Sequence, residues 1–240
     1  MIFVLAAALA AATPACPTDA TAPAYVCQAL AAEQGGRHAE AADGFEKAAA
    51  ATSAGDAAQA RMLAAAGNLW ISAGQPAKAA TALDKALAAK NMEPVQHGLA
   101  LLDRARAAEA QGDLKTARAK VTEAGKTIAA DPYLWFFSAA LAVREDDIPT
   151  AKSAINRALA LAPDSPEVMF EAGHVAKAAG EDAKARDYWT SAAAADPKGA
   201  AGRAARGALA LMEVPLTVTG QVATRPDGDG EGPKDEGNTP

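Results

Sequence analysis

One interval governs what this chain can fold into. Counting forward from Gly36, Ala41 stands five residues on, Phe45 nine on and Ala48 twelve on. The same count from Gly74 meets Ala79, Leu83 and Ala86, and from Gly112 it meets Ala117, Val121 and Ala124. From Asp146 it meets Ala151, Ile155 and Ala158, and from Gly180 it meets Ala185, Trp189 and Ala192. Each frame also has a small residue seven before its start: Ala29, Gly67, Ala105, Ala139 and Gly173. The frames begin 38, 38, 34 and 34 residues apart. Ala is so frequent that an Ala match alone carries little weight. The turn residue, the large apolar residue nine later and the near-constant interval carry the signal.

Physically, the interval describes a helix hairpin repeated five times. Gly or Asp ends a first helix and turns the chain. The small residue in that helix lets the second helix cross closely, and the large residue in the second helix fills the gap to the next hairpin. Such a hairpin cannot bury its own face and must stack on its neighbours. Composition agrees. Half of the residues are hydrophobic, most of them Ala, and only 5% are aromatic. Ala is the strongest intrinsic helix former, whereas the β-branched and aromatic runs of strands are nearly missing. The additional residues of the 38-residue intervals can sit in loops, for example Asn91-Met92-Glu93-Pro94.

The pattern resembles the tetratricopeptide repeat, whose period is about 34 residues. Trp135, four before Ala139, falls where that family favours Trp. Trp70, three after Gly67, falls where it favours Tyr, and Pro163 and Pro197 fall where it closes a repeat. The resemblance covers residues 22–197. Asp146 departs from the usual turn Gly, Asp131-Pro132 comes two residues late, and the first repeat lacks both Trp and closing Pro. The resemblance implies an all-α fold: a right-handed α-solenoid of about five hairpins. Residues 198–214 read as a capping helix for its solvated end.

The ends differ from the array. Residues 1–15 hold an apolar Ala-rich run followed by Thr13-Pro14-Ala15, expected to be a signal peptide and so to send the protein to the periplasm or outside the cell. A cytoplasmic protein with an apolar first helix is the alternative. Cys16 and Cys27 form a possible disulfide in an oxidising compartment; Cys16 is also a candidate for lipidation, the one route to a membrane. Residues 215–240, rich in Gly, Pro and acid, are expected to be a disordered tail. Asp227-Gly228-Asp229-Gly230-Glu231-Gly232 imitates the start of a calcium loop, but Asn238 stands where that loop needs a bidentate acid.

No catalytic constellation is present. His38, His97 and His174 stand in no metal-type spacing with each other or with Cys, and His38 and His97 are expected on the surface. There is no phosphate-cradling loop or nucleophile elbow. The expectation is therefore not an enzyme, with no cofactor and no metal. A net charge of −6, with both signs mixed along the chain, argues against nucleic acid as partner.

The resemblance implies that the first helices line a concave groove for a protein or peptide. Its inward positions map to Asn68 and Ile71, Leu102, Arg106 and Glu109, Tyr133, Phe136, Val143 and Arg144, then Phe170, His174 and Lys177. Of these, Asn68, Arg106, Glu109, Tyr133, Phe136, Arg144, Phe170, His174 and Lys177 are the candidate partner-binding residues. Aromatics with Arg are common interface anchors; the same aromatics could equally fill the seams between hairpins. The expected role is an interaction scaffold of the cell envelope. The alternative is a self-associating structural subunit with no groove in use.

Overall fold

The structure, a computed structural model, describes residues 16–53 and 55–213. The expected signal segment and the acidic tail lie outside them. The described residues form eleven helices and no strand: α1 (Ala22–Gln34), α2 (His38–Ala50), α3 (Ala57–Ser72), α4 (Pro76–Leu87), α5 (Pro94–Ala110), α6 (Leu114–Ala124), α7 (Pro132–Arg144), α8 (Ile148–Leu161), α9 (Pro166–Ala178), α10 (Asp182–Ala195) and α11 (Ala200–Glu213). Consecutive helices pair as five hairpins stacked in chain order, and α11 packs on α9 and α10.

The five turns are built alike. Gly36, Gly74, Gly112 and Gly180 hold φ between 69 and 79°, and Asp146 joins them at 58°. In each turn the next N–H reaches back to a carbonyl five residues earlier: Arg37 to Ala32, Gln75 to Trp70, Asp113 to Ala108, Asp147 to Ala142 and Glu181 to Ala176. This is the Schellman closure, which needs one left-handed residue and satisfies the last carbonyls of the helix. Asp tolerates that conformation better than most side chains, so the fourth turn keeps its geometry without Gly.

The recurring alanines are the seams. Ala41, Ala79, Ala117, Ala151 and Ala185 are all fully buried, and so are Ala48, Ala86, Ala124, Ala158 and Ala192. A Cβ added to Gly67 would run into the Leu83 side chain, and one added to Gly173 into the Trp189 indole. The small residue of the first helix is thus the socket for the large residue of the second. Leu102, expected on the groove, is instead 3% exposed in the core between α5 and α7. Pro132 opens α7 behind the capping Asp131 rather than closing the previous repeat.

First helices approach one another at backbone range in the pairs α3–α5, α7–α9 and α9–α11, more closely than any second helices of neighbouring hairpins do. Hairpins closer on one side than the other make a curved stack, so the first helices line its inner face. The long intervals are also spent differently from expectation. α3 has 16 residues and α5 has 17, against 13 for α1, α7 and α9. The added residues extend α3 and α5 at their N-terminal ends, because Asp56 caps the one and Pro94 starts the other.

Candidate functional site

The inner face carries a ladder of side chains across three successive first helices. Asn68 on α3 donates from Nδ2 to Asp103 Oδ2 on α5 at 3.0 Å. Asp103 also accepts from Arg106 at 2.8 Å, one turn along α5. The Arg106 guanidinium lies 5.7 Å from the centre of the Tyr133 ring on α7, within reach of a cation–π contact. Tyr133 stacks on Phe136, with ring centres 5.4 Å apart and planes at 19°. Tyr133 is 42% exposed. Phe136 is half-buried and touches the cores on both sides of α7. Beside this ladder Glu109 on α5 and Arg144 on α7 form an ion pair. Arg106 and Arg144 are therefore held by acids of this chain.

The α9 residues form a separate group. His174 meets Phe170 edge to face at 4.5 Å and Trp189 at 5.4 Å. Trp189 donates from its indole N–H to the Phe170 carbonyl at 3.0 Å. Phe170 packs with Leu209 and Met212 in the cluster under α11. Burial holds the His174 imidazole below its usual range, so it is neutral at pH 7. Lys177 is exposed and pairs with Asp182 at 2.9 Å. Ile71 and Val143 pack partly into neighbouring cores. His38 and His97, expected on the surface, are both half-buried; His97 falls in the added turn of α5.

Glu171 stands two residues before Gly173, the register that Asp103 holds two before Ala105. Asp103 has Asn68 and Arg106 as partners. The matching positions around Glu171 are Ala140 and His174. Glu171 is only 9% exposed and has no ion pair or hydrogen bond among the described residues. Desolvation pushes its carboxyl up to about 7.

Sequence reasoning missed Asp103, which joins two of the expected residues. It also missed Leu99, which is 42% exposed on α5. The signal for Leu99 was present: it stands six before Ala105, as Tyr133 stands six before Ala139. Arg61 carries the same signal, six before Gly67, whereas Gln96 was not legible, because the extension of α5 was not.

At the N-terminal edge, Cys16 and Cys27 are bonded, with Cα atoms 5.6 Å apart. Gln28 donates to the Pro17 carbonyl at 2.7 Å, so the arm lies along α1. No helix among the described residues is long and apolar enough to cross a membrane.

No protein-family model and no curated protein matches the sequence. Solved structures do match the fold. PilW, a widely conserved type IV pilus biogenesis factor, is 17% identical with a TM-score of 0.64, over 76% of this chain and 81% of its own. YrrB, a TPR protein with an unusual peptide-binding site, is 18% identical with a TM-score of 0.55, over 78% of this chain and 92% of its own. PilF of Pseudomonas aeruginosa is 14% identical with a TM-score of 0.62, over 79% of this chain and 82% of its own. At such identities the likeness establishes the fold alone.

Proposed function

We propose, from the premise that this chain has the tetratricopeptide-repeat fold, that it is a protein-interaction scaffold whose inner face holds an extended segment of a partner. The carrying observation is the ladder Asn68–Asp103–Arg106–Tyr133–Phe136. It fixes rotamers across α3, α5 and α7 and leaves the Tyr133 ring exposed. A held aromatic loses little entropy on binding, which is what an interface anchor needs. We assign no catalytic step to the chain: Arg106, Glu109, Arg144 and Lys177 are each paired, and His174 is kept neutral among aromatic rings.

We place the protein in the cell envelope. The apolar start of the sequence and the Cys16–Cys27 bond support that placement, since such bonds persist in oxidising compartments. Intact mass of protein isolated from the native cell tests it: the expected species lacks residues 1–15 and carries two fewer hydrogens than the dithiol.

The groove itself is tested by measuring the affinity of the co-purified partner for Tyr133→Ala and Arg106→Ala. Loss of about tenfold or more for each, with helicity unchanged, is expected for anchors. Undiminished affinity in both variants would remove the inner face from the function. The second reading, self-association, has one observation in its favour: Leu211 on α11 is 78% exposed. Light scattering over a concentration series separates the two, because a scaffold with a free groove stays monomeric.

A further inference from the structure

Helices α3 and α5, with the loop that precedes α5, wall a pocket of about 230 Å³ on the inner face, lined by Arg61, Ala64, Asn68, Met92, Gln96, Leu99 and others. Of these, Gln96 lies in the turn of α5 that hairpins built on the 34-residue interval lack. Its floor is apolar, made by Ala64, Ala65 and Ala100, and Met92 and the half-exposed Leu99 form its sides.

Two polar features give the pocket a preference. Gln96 Oε1 is buried with no hydrogen-bond donor. A carbonyl in that state costs stability until a donor reaches it. The Asn68 amide and the Arg106 guanidinium donate to Asp103 instead. Arg61, by contrast, is exposed and makes no ion pair among the described residues. Asp103 is neutralised by Arg106, so the pocket presents one uncompensated positive charge at its mouth.

We propose that this pocket is a side-chain subsite. It takes a large aliphatic residue of a partner protein's extended segment, with an acidic residue beside it facing Arg61. The Gln96 side chain, whose Oε1 is shielded in the free protein, turns toward that segment and accepts from one of its backbone N–H groups. The extended backbone is what brings N–H groups and alternate side chains to one groove wall together. The proposal rests on the groove reading and narrows it to one place and one ligand chemistry.

The test selects from a displayed library of random peptides on the full chain as purified. The enriched peptides are expected to place Asp or Glu next to Leu, Ile or Met. A synthetic copy of the most enriched peptide is then measured by fluorescence anisotropy. Binding is expected to weaken about tenfold with Arg61→Glu, as for loss of a charge pair at an interface, and similarly with Ala64→Met, which fills the floor. Arg61 is exposed, so its replacement leaves folding intact. A peptide whose acid is replaced by Lys is expected to recover affinity for Arg61→Glu. Peptides that bind both variants as well as the parent chain but lose affinity with Tyr133→Ala overturn the subsite and leave the groove standing. Enrichment of no peptide overturns both. An oligomer of this chain that Arg61→Glu dissociates puts a second copy in the pocket and also overturns the proposal.

Discussion

At the scale of single residues, the left-handed turn positions and one buried acid are the places where the chain carries strain. Gly180 at φ 74° and Asp146 at φ 58° hold the same closure, but Asp carries a Cβ that this conformation disfavours. Asp146→Gly is expected to raise stability by up to about 1 kcal/mol, and Gly180→Ala to lower it by about 1 kcal/mol, read as urea midpoints at constant slope. Glu171 gives a pH-dependent counterpart. Its folded carboxyl is raised from 4.5 to about 7 by burial, so the native state binds the extra proton between those values. Stability that is fully present below about pH 4.5 is therefore lost as pH rises to about 7. Glu171→Gln, which cannot ionise, is expected to lack this decline. At pH 8 it should exceed the parent by up to about 3 kcal/mol more than it does at pH 4. Parallel pH profiles for the two proteins would show that Glu171 is not the group responsible.

At the scale of elements, the sequence disclosed what periodicity can encode and hid what it cannot. The turns, the small residues and the large residues recur and so were legible, but that each large residue seats on the small residue of its own hairpin, Leu83 on Gly67 and Trp189 on Gly173, emerges only from the packing. A helix extension breaks the period, and Asn91 to Pro94 looked like loop; only the start of α5 at Pro94 shows that an added turn follows. The groove was half legible for the same reason. Helical register names the residues on a face, as it did for Asn68, Tyr133 and Phe136. It cannot name their partners on another helix, so the Asn68–Asp103 and Arg144–Glu109 pairs emerge only from the packing. The arm before α1 is held chiefly by the Cys16–Cys27 bond and the Gln28 contact to Pro17. In a stack where each hairpin touches only its neighbours, a local release stays local. Reduction of that bond is thus expected to speed amide exchange in α1 and leave α5 to α9 unchanged, as read by mass spectrometry of peptic fragments.

At the scale of the whole molecule, the stack is not uniform. α6 meets α7 less closely than any other pair of consecutive helices, and α5 and α7 lack the backbone approach that α3–α5 and α7–α9 have. Small side chains cannot bridge such a gap. Large ones do: Leu101 and Leu102 face Leu134, Phe137 and Leu141 in one cluster. Polar ties are concentrated there too. Arg118 on α6 donates to the Ser138 hydroxyl at 3.1 Å and to Glu145 at 3.0 Å, and Glu109–Arg144 and Arg106–Tyr133 cross the same junction. This junction holds the two halves of the inner face in one geometry by side-chain volume rather than by close backbones. Phe137→Ala removes a ring that is 8% exposed at its centre and is expected to cost about 3 to 5 kcal/mol. Because coupling between neighbours is what makes a repeat array unfold as one, the loss is expected to split a single urea transition into two. Amides of α7 to α10 and of α2 to α5 should then exchange at different denaturant concentrations. A Phe137→Ala chain that is weakened but still melts in one step would show that the hairpins communicate through some other contact, and that the wide junction is not the point where the array divides.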